Sequence, residues 1–185
     1  MENFTKGFIS ILIIVILGSI IWIMLCDKGE QRMKNVYKKN VKTLQKFWAD
    51  YENEDLDAME NSMVENIERF FYNVNHVKGI KYSKYESLES AKRFFDLVEN
   101  ISLNHHIMLP GIDSVNLALD GTVRMYSGWS FDINDETISF SVYGFYDFIE
   151  DKISLSLEWY DQSGIGLEIR NAINQNERKE KITTE

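Results

Sequence analysis

The sequence predicts an α+β fold, a curved antiparallel sheet wrapped on amphipathic helices and preceded by one transmembrane helix. Three observations predict it. Residues 7–26, GFISILIIVILGSIIWIMLC, are twenty consecutive positions without a charge. Apolar residues recur at intervals of three and four over 35–51 and again over about 87–99. From Ile101 onward the period falls to two, the signature of half-buried strands.

A helix of that apolar length covers about 30 Å, the thickness of a bilayer's hydrocarbon core. Its polar side chains Ser10 and Ser19 can bond back to the helix's own carbonyls, and Trp22 stands near one end, where an indole meets the headgroups. A cleaved secretory signal would need small residues before the cut, yet the first alanine is Ala49. A lipoprotein signal would end at Cys26, but Leu25 precedes it in place of Gly, Ala or Ser. Core helices of soluble domains rarely run so far without a charge. The expectation is therefore a short stub at 1–6 and an uncleaved single-pass anchor at 7–26, which contacts the lipid bilayer.

Residues 27–35 read as a basic juxtamembrane linker. The flank 27–46 holds Lys28, Arg32, Lys34, Lys38, Lys39, Lys42 and Lys46 against Asp27 and Glu30, seven basic residues against two acidic, a net +5. By the positive-inside rule this favours a cytoplasmic soluble domain. The whole chain carries −9 and residues 1–26 are neutral, so 47–185 hold −14. A domain that acidic repels a phosphate backbone, so no nucleic-acid partner is expected. The collar itself can lie against anionic headgroups. A single cysteine excludes an intrachain disulfide, and three histidines, two of them adjacent, give no metal-ligand spacing. No metal and no cofactor are expected.

Past the linker, Tyr37, Val41, Leu44, Trp48 and Tyr51, with Phe47 beside them, form the stripe of an amphipathic helix over 35–51. Asp55 can cap a short second helix carrying Leu56, Met59 and Met63. From Val64 to Tyr72 the pattern is weaker, and the run Phe70, Phe71, Tyr72 favours a strand. Residues 74–86 read as a polar loop around Gly79. A helix follows over about 87–99, with Ser83 and Glu86 at capping-box spacing ahead of it.

The strands come next. Leu103, His105, Ile107 and Leu109 alternate with Asn104, His106 and Met108. Asp120-Gly121 predicts a hairpin turn, because both central positions of such a turn need positive φ. Met125, Ser127, Trp129 and Phe131 share one parity, as do Ile138, Phe140, Val142, Gly144, Tyr146 and Phe148 after a turn at Asn134-Asp135. A turn at Glu150-Asp151 leads to a last strand with Ile153, Leu155, Leu157 and Trp159 inward, which leaves Glu158 on a solvated face. Ile165, Ile169, Ala172 and Ile173 make a short closing helix, and the polar residues 174–185 read as a disordered tail.

The segment FWADYENEDLDAMENSM resembles the opening of SnoaL-like proteins of the nuclear transport factor 2-like superfamily, where an aromatic-rich helix meets an acidic turn and a short D-x-D-A-[LM] helix. GFYDFIEDKISLSLEWYDQSGI resembles that family's last hairpin. The resemblance spans residues 36 to 170, and with the closing helix it defines a SnoaL-like domain at 36–173. It implies a cone-shaped fold whose helices and concave sheet enclose a pocket, and homodimers through the outer sheet face.

For chemistry the resemblance implies less. The ketosteroid isomerase type carries its base on or just after the first strand, where this chain has Phe70-Phe71-Tyr72-Asn73 and no acid. The cyclase type carries an acid on the strand before the last turn, which falls near Gly144, with Asp147 on the opposite pleat face. Both positions lack a carboxylate, so no catalytic residue is assigned. The candidate pocket-lining residues are Trp48, Tyr51, His105, Trp129, Tyr146 and Trp159. These readings predict a membrane-anchored, non-catalytic domain that binds a small apolar ligand or a protein partner. The alternatives are an isomerase-, cyclase- or hydratase-type enzyme with a pocket carboxylate, and an assembly scaffold of a secretion-type membrane complex.

Overall fold

In the computed structural model a single helix, α1 (Glu2–Glu52), runs from the apolar stretch into the domain. The structure describes residues 2–73, 76–134 and 136–183, with side chains described for 15–16, 18–19, 28–73, 76–134, 136–161 and 164–174. At 51 residues α1 is about 75 Å long, so residues 27–35 are helical rather than a change of direction. Among the described residues no helix is long and apolar enough to cross a membrane. Of the expected span at 7–26 only Val15, Ile16, Gly18 and Ser19 have described side chains, so that expectation lies outside the described residues. Ser19 does bond back, its hydroxyl donating to the Val15 carbonyl at 2.9 Å.

The amphipathic stripe lies where its periodicity puts it, with Leu44, Phe47 and Trp48 buried. Asp55 caps α2 (Leu56–Asn61) by accepting from the Ala58 amide at 2.9 Å. Ser83 and Glu86 form a complete capping box, so α3 (Lys84–Phe95) starts three residues earlier than expected. Between α2 and α3, β1 (Met63–Asn73) pairs with β2 (His76–Tyr82). The expected polar loop is thus an edge strand. Edge strands carry polar and Lys side chains and little alternation, which hid it.

The strands β3 (Glu99–Ile112), β4 (Leu119–Ile133), β5 (Glu136–Ile149) and β6 (Lys152–Trp159) form the antiparallel meander. The sheet order is β2-β1-β6-β5-β4-β3. β1 runs parallel to β6, so the sheet is mixed rather than wholly antiparallel. The reason is topological: β1 covers the free edge of the last meander strand, and the helices between lie on the concave face.

Three local details depart from simple alternation. Asp120-Gly121 is not the hairpin turn, which lies at 113–118. Gly121, at φ 86°, instead sits in a bulge of β4, where the Asn40 side chain donates to its carbonyl at 2.8 Å. A bulge between Leu103 and His105 adds one residue to β3, and another between Ile153 and Leu155 adds one to β6. An extra residue reverses which face every later side chain occupies. The turn at Glu150-Asp151 does form, with both residues at positive φ.

The outer sheet face carries a row across five strands, Ile107, Tyr126, Tyr143, Trp159 and Tyr72, each opposite the next. The closing helix, α4 (Gln162–Thr183), packs against β5 and β4 with Ala172 buried. It continues through 174–183, so the expected disordered tail is helical there. That stretch is rich in Glu, Lys and Arg, which are good helix formers.

Candidate functional site

The concave face of the sheet, α1, α3 and α4 enclose a cavity of about 340 Å³. Its walls are aromatic and aliphatic: Trp48 and Tyr51 from α1, Ala91 and Phe94 from α3, Trp129 and Phe131 from β4, Phe140 and Val142 from β5, and Ile165 and Ile169 from α4. Edge-to-face ring contacts link Trp48 to Trp129 at 5.1 Å and Tyr51 to Trp129 at 5.8 Å between centroids. Such contacts fix the ring orientations beyond what burial alone would do.

One region of the wall is charged. Arg69 of β1 donates from Nη2 to Oε1 of Glu158 on β6 at 2.9 Å, and both side chains are buried, with residue exposures of 6% and 4%. The Ser156 hydroxyl donates to the same Oε1 at 2.6 Å. The guanidinium carbon lies 5.7 Å from the Phe47 ring centroid and 5.1 Å from that of Phe71. Burial opposes the Arg69 charge, but the Glu158 carboxylate outweighs it and leaves the guanidinium harder to deprotonate than usual. A buried ion pair survives only with such geometry and added hydrogen bonds. Burial also pushes the phenols of Tyr51, Tyr146 and Tyr160 above their ordinary range, with Glu158 adding to each, so all three stay neutral donors.

Two polar atoms of the wall are unmatched. Among the described residues, the Ser87 hydroxyl and Trp48 Nε1 are buried without a hydrogen-bond partner. Buried polar atoms left unpaired cost about 1–3 kcal/mol each.

Of the six candidate residues, Trp48, Tyr51 and Trp129 line the cavity. Tyr146 is fully buried behind it, near enough to Glu158 for the carboxylate to raise its phenol further. His105 and Trp159 are corrected: both lie on the outer face. The β3 bulge turns His105 outward over Gly128, whose missing side chain leaves room for the imidazole. The β6 bulge turns Trp159 outward, where it stacks on Tyr72 at 4.6 Å. That same bulge brings Glu158 inward, against the expectation of a solvated face. Its strand partner is Gly144, the position where a cyclase-type acid was sought. The missed residues are Arg69, Glu158, Ser87 and Tyr160. The available signal was two opposite charges each directly before aromatic residues, Arg69 before Phe70-Phe71-Tyr72 and Glu158 before Trp159-Tyr160. Among the described residues no group of three or more His, Cys, Asp or Glu is placed to hold a metal.

No protein-family model and no curated protein matches the sequence. Solved structures do. An isomerase, so described provisionally, from Bacillus subtilis superposes with a TM-score of 0.60 at 15% identity, over 74% of this chain and 96% of the other. An NTF2-like protein from Burkholderia xenovorans gives 0.53 at 14%, over 70% and 94%. An M. tuberculosis LEH-like epoxide hydrolase gives 0.52 at 14%, over 74% and 92%. At these identities the likeness is one of fold: the domain has the NTF2-like α+β architecture, a curved mixed sheet closed by helices.

Proposed function

We propose that this chain is a single-pass membrane-anchored NTF2-like domain that binds a small, mostly apolar molecule carrying a hydrogen-bond-accepting oxygen. The observation that carries it is a largely apolar cavity of about 340 Å³ with one charged region, the Arg69–Glu158 pair, in its wall. Ligand sites have this make-up, apolar walls with a few placed polar groups. The Arg69–Glu158 pair forms a polar end that orients the ligand. An open cavity favours ligand binding over an assembly scaffold, which needs none. The anchor rests on the uncharged run at 7–26, and the basic flank favours the cytoplasmic side over the extracytoplasmic one. The aromatic outer row suits a homodimer through the sheet.

The test is to purify the full chain in lipid nanodiscs and identify small molecules that travel with it by mass spectrometry. Ala91→Phe fills the cavity from α3 and should lose them while circular dichroism stays unchanged. The same small-molecule complement on both proteins would refute the ligand site.

A second reading is favoured by Glu158, a carboxylate at the wall of an apolar cavity. Carboxylates so placed serve as acids or bases, and the names of the structural neighbours, an isomerase and an epoxide hydrolase, fit an enzyme too. Glu158→Gln separates the two. In a binding domain it weakens retention of a chemically unaltered ligand, because the polar end is disturbed, whereas in an enzyme it stops turnover and the bound molecule changes from product to substrate.

A further inference from the structure

The β3–β4 hairpin tip points toward the end of α1 that holds the apolar run. Contacts between α1 and this hairpin advance in step. The Leu103 amide donates to Glu52, Trp48 meets Trp129, the Tyr37 hydroxyl donates to the Met108 carbonyl, and Met33 and Val36 lie against Gly121. Moving toward lower numbers on α1 therefore means moving toward the tip, residues 113–118. From Cys26 to Met33 is seven residues, about 10 Å of helix. The headgroup zone of one leaflet is about 5–8 Å deep, and the tip extends past Gly121 in that direction.

The tip is built unlike a water-facing turn. Ile112, Val115 and Leu117 are 48%, 90% and 78% exposed. Leu117 holds φ 59°, a conformation that Gly or Asn adopts at less cost, yet it presents a leucine to the outside. The backbone amides meanwhile find their acceptors inside the tip. Val115 and Asn116 donate to Oδ1 of Asp113, Leu117 to the Asp113 carbonyl, Ala118 to Oδ1 of Asn116, and Asp113 to the Ala118 carbonyl. Satisfied amides with apolar side chains outward are what a low-polarity surface requires. The Asp120 carboxylate is likewise taken up by the Thr122 amide and hydroxyl. Lys28, Arg32 and Lys38 of α1 are exposed beside this end and complement anionic headgroups.

We propose that the β3–β4 hairpin tip, through Val115 and Leu117, docks into the headgroup region of the leaflet from which α1 emerges. The proposal rests on the membrane-anchor reading, and it seats the domain on the bilayer at two points instead of one. The test uses the full chain with Cys26→Ser and a nitroxide on Val115→Cys, reconstituted in phosphatidylcholine–phosphatidylglycerol vesicles. A second protein carries the label at Glu136→Cys, beyond the other end of β4. If the tip docks, the label at 115 collides more with oxygen and less with an aqueous nickel chelate than the label at 136. Equal, water-like accessibility at both sites, in protein that floats with the vesicles and resists alkaline extraction, overturns the docking and leaves the anchor intact. Failure to float overturns the anchor, and the docking with it.

Discussion

Replacing Arg69 by Met isolates what the buried ion pair contributes. Met keeps most of the aliphatic stem but removes the guanidinium, whose carbon faces the rings of Phe47 and Phe71. Glu158, 4% exposed, would then retain the Ser156 hydroxyl and no countercharge. Breaking a buried pair from one side costs about 3–5 kcal/mol. An exposed pair provides the comparison: Lys81 and Glu68 touch with both side chains about half exposed, a geometry worth roughly 0–1 kcal/mol. Arg69→Met should therefore lose at least about 2 kcal/mol more than Lys81→Met. Urea unfolding of the full chain in nanodiscs, followed by fluorescence of Trp48 and Trp129 beside the site, measures both. Adding Glu158→Leu to Arg69→Met removes the stranded charge and should recover part of the loss, which makes a double-mutant cycle. If Arg69→Met and Lys81→Met cost the same, the pair is not desolvated and the polar end of the cavity is misassigned.

Other predictions follow from the same geometry. A Cβ added at Gly144 would stand 2.4 Å from the Tyr146 hydroxyl oxygen, so Gly144→Ala must displace a fully buried ring and should cost about 1–3 kcal/mol in urea unfolding. Ser83→Ala removes the acceptor for the Glu86 amide and half of a capping box, for a loss of about 1 kcal/mol and earlier amide exchange in the first turn of α3. Burial first, and Glu158 next in Tyr146 and Tyr160, raise the phenols of Tyr51, Tyr146 and Tyr160 in the folded state. The unfolded chain therefore loses these protons first. Their stabilisation is complete below pH about 10 and disappears as pH rises beyond it. Urea midpoints taken from pH 8 to 11 should fall at the upper end, and less steeply in Tyr146→Phe; identical slopes in the two proteins would contradict the burial of that phenol.

Much of the architecture was readable because it depends on local rules. The stripe from Tyr37 to Tyr51, the caps at Asp55 and Ser83, the turn at Glu150-Asp151 and the parity of β4 and β5 each involve residues a few positions apart. The candidate site was half readable for the same reason. Trp48 and Tyr51 share a helical face, and Trp129 lies on an unbroken part of β4. His105, Trp159 and Glu158 were misplaced because each follows a bulge. A bulge is decided by partner strands and by outside acceptors such as Glu52, which takes the Leu103 amide. Nothing in the alternation of β3 or β6 records it.

Sequence by itself determined the α+β class, the amphipathic stripe of α1, the alternating strands after residue 101, the uncharged run at 7–26 and its basic flank. These follow from composition and period, which are properties of one stretch of chain. Tertiary structure alone decided that β1 lies parallel to β6, that Arg69 meets Glu158 across 89 positions of sequence, and that Ser87 is left unpaired in the cavity wall. Those facts depend on which strands become neighbours and on one extra residue in β6. A shift of one residue moves a carboxylate from water to the cavity, and no local pattern registers that change.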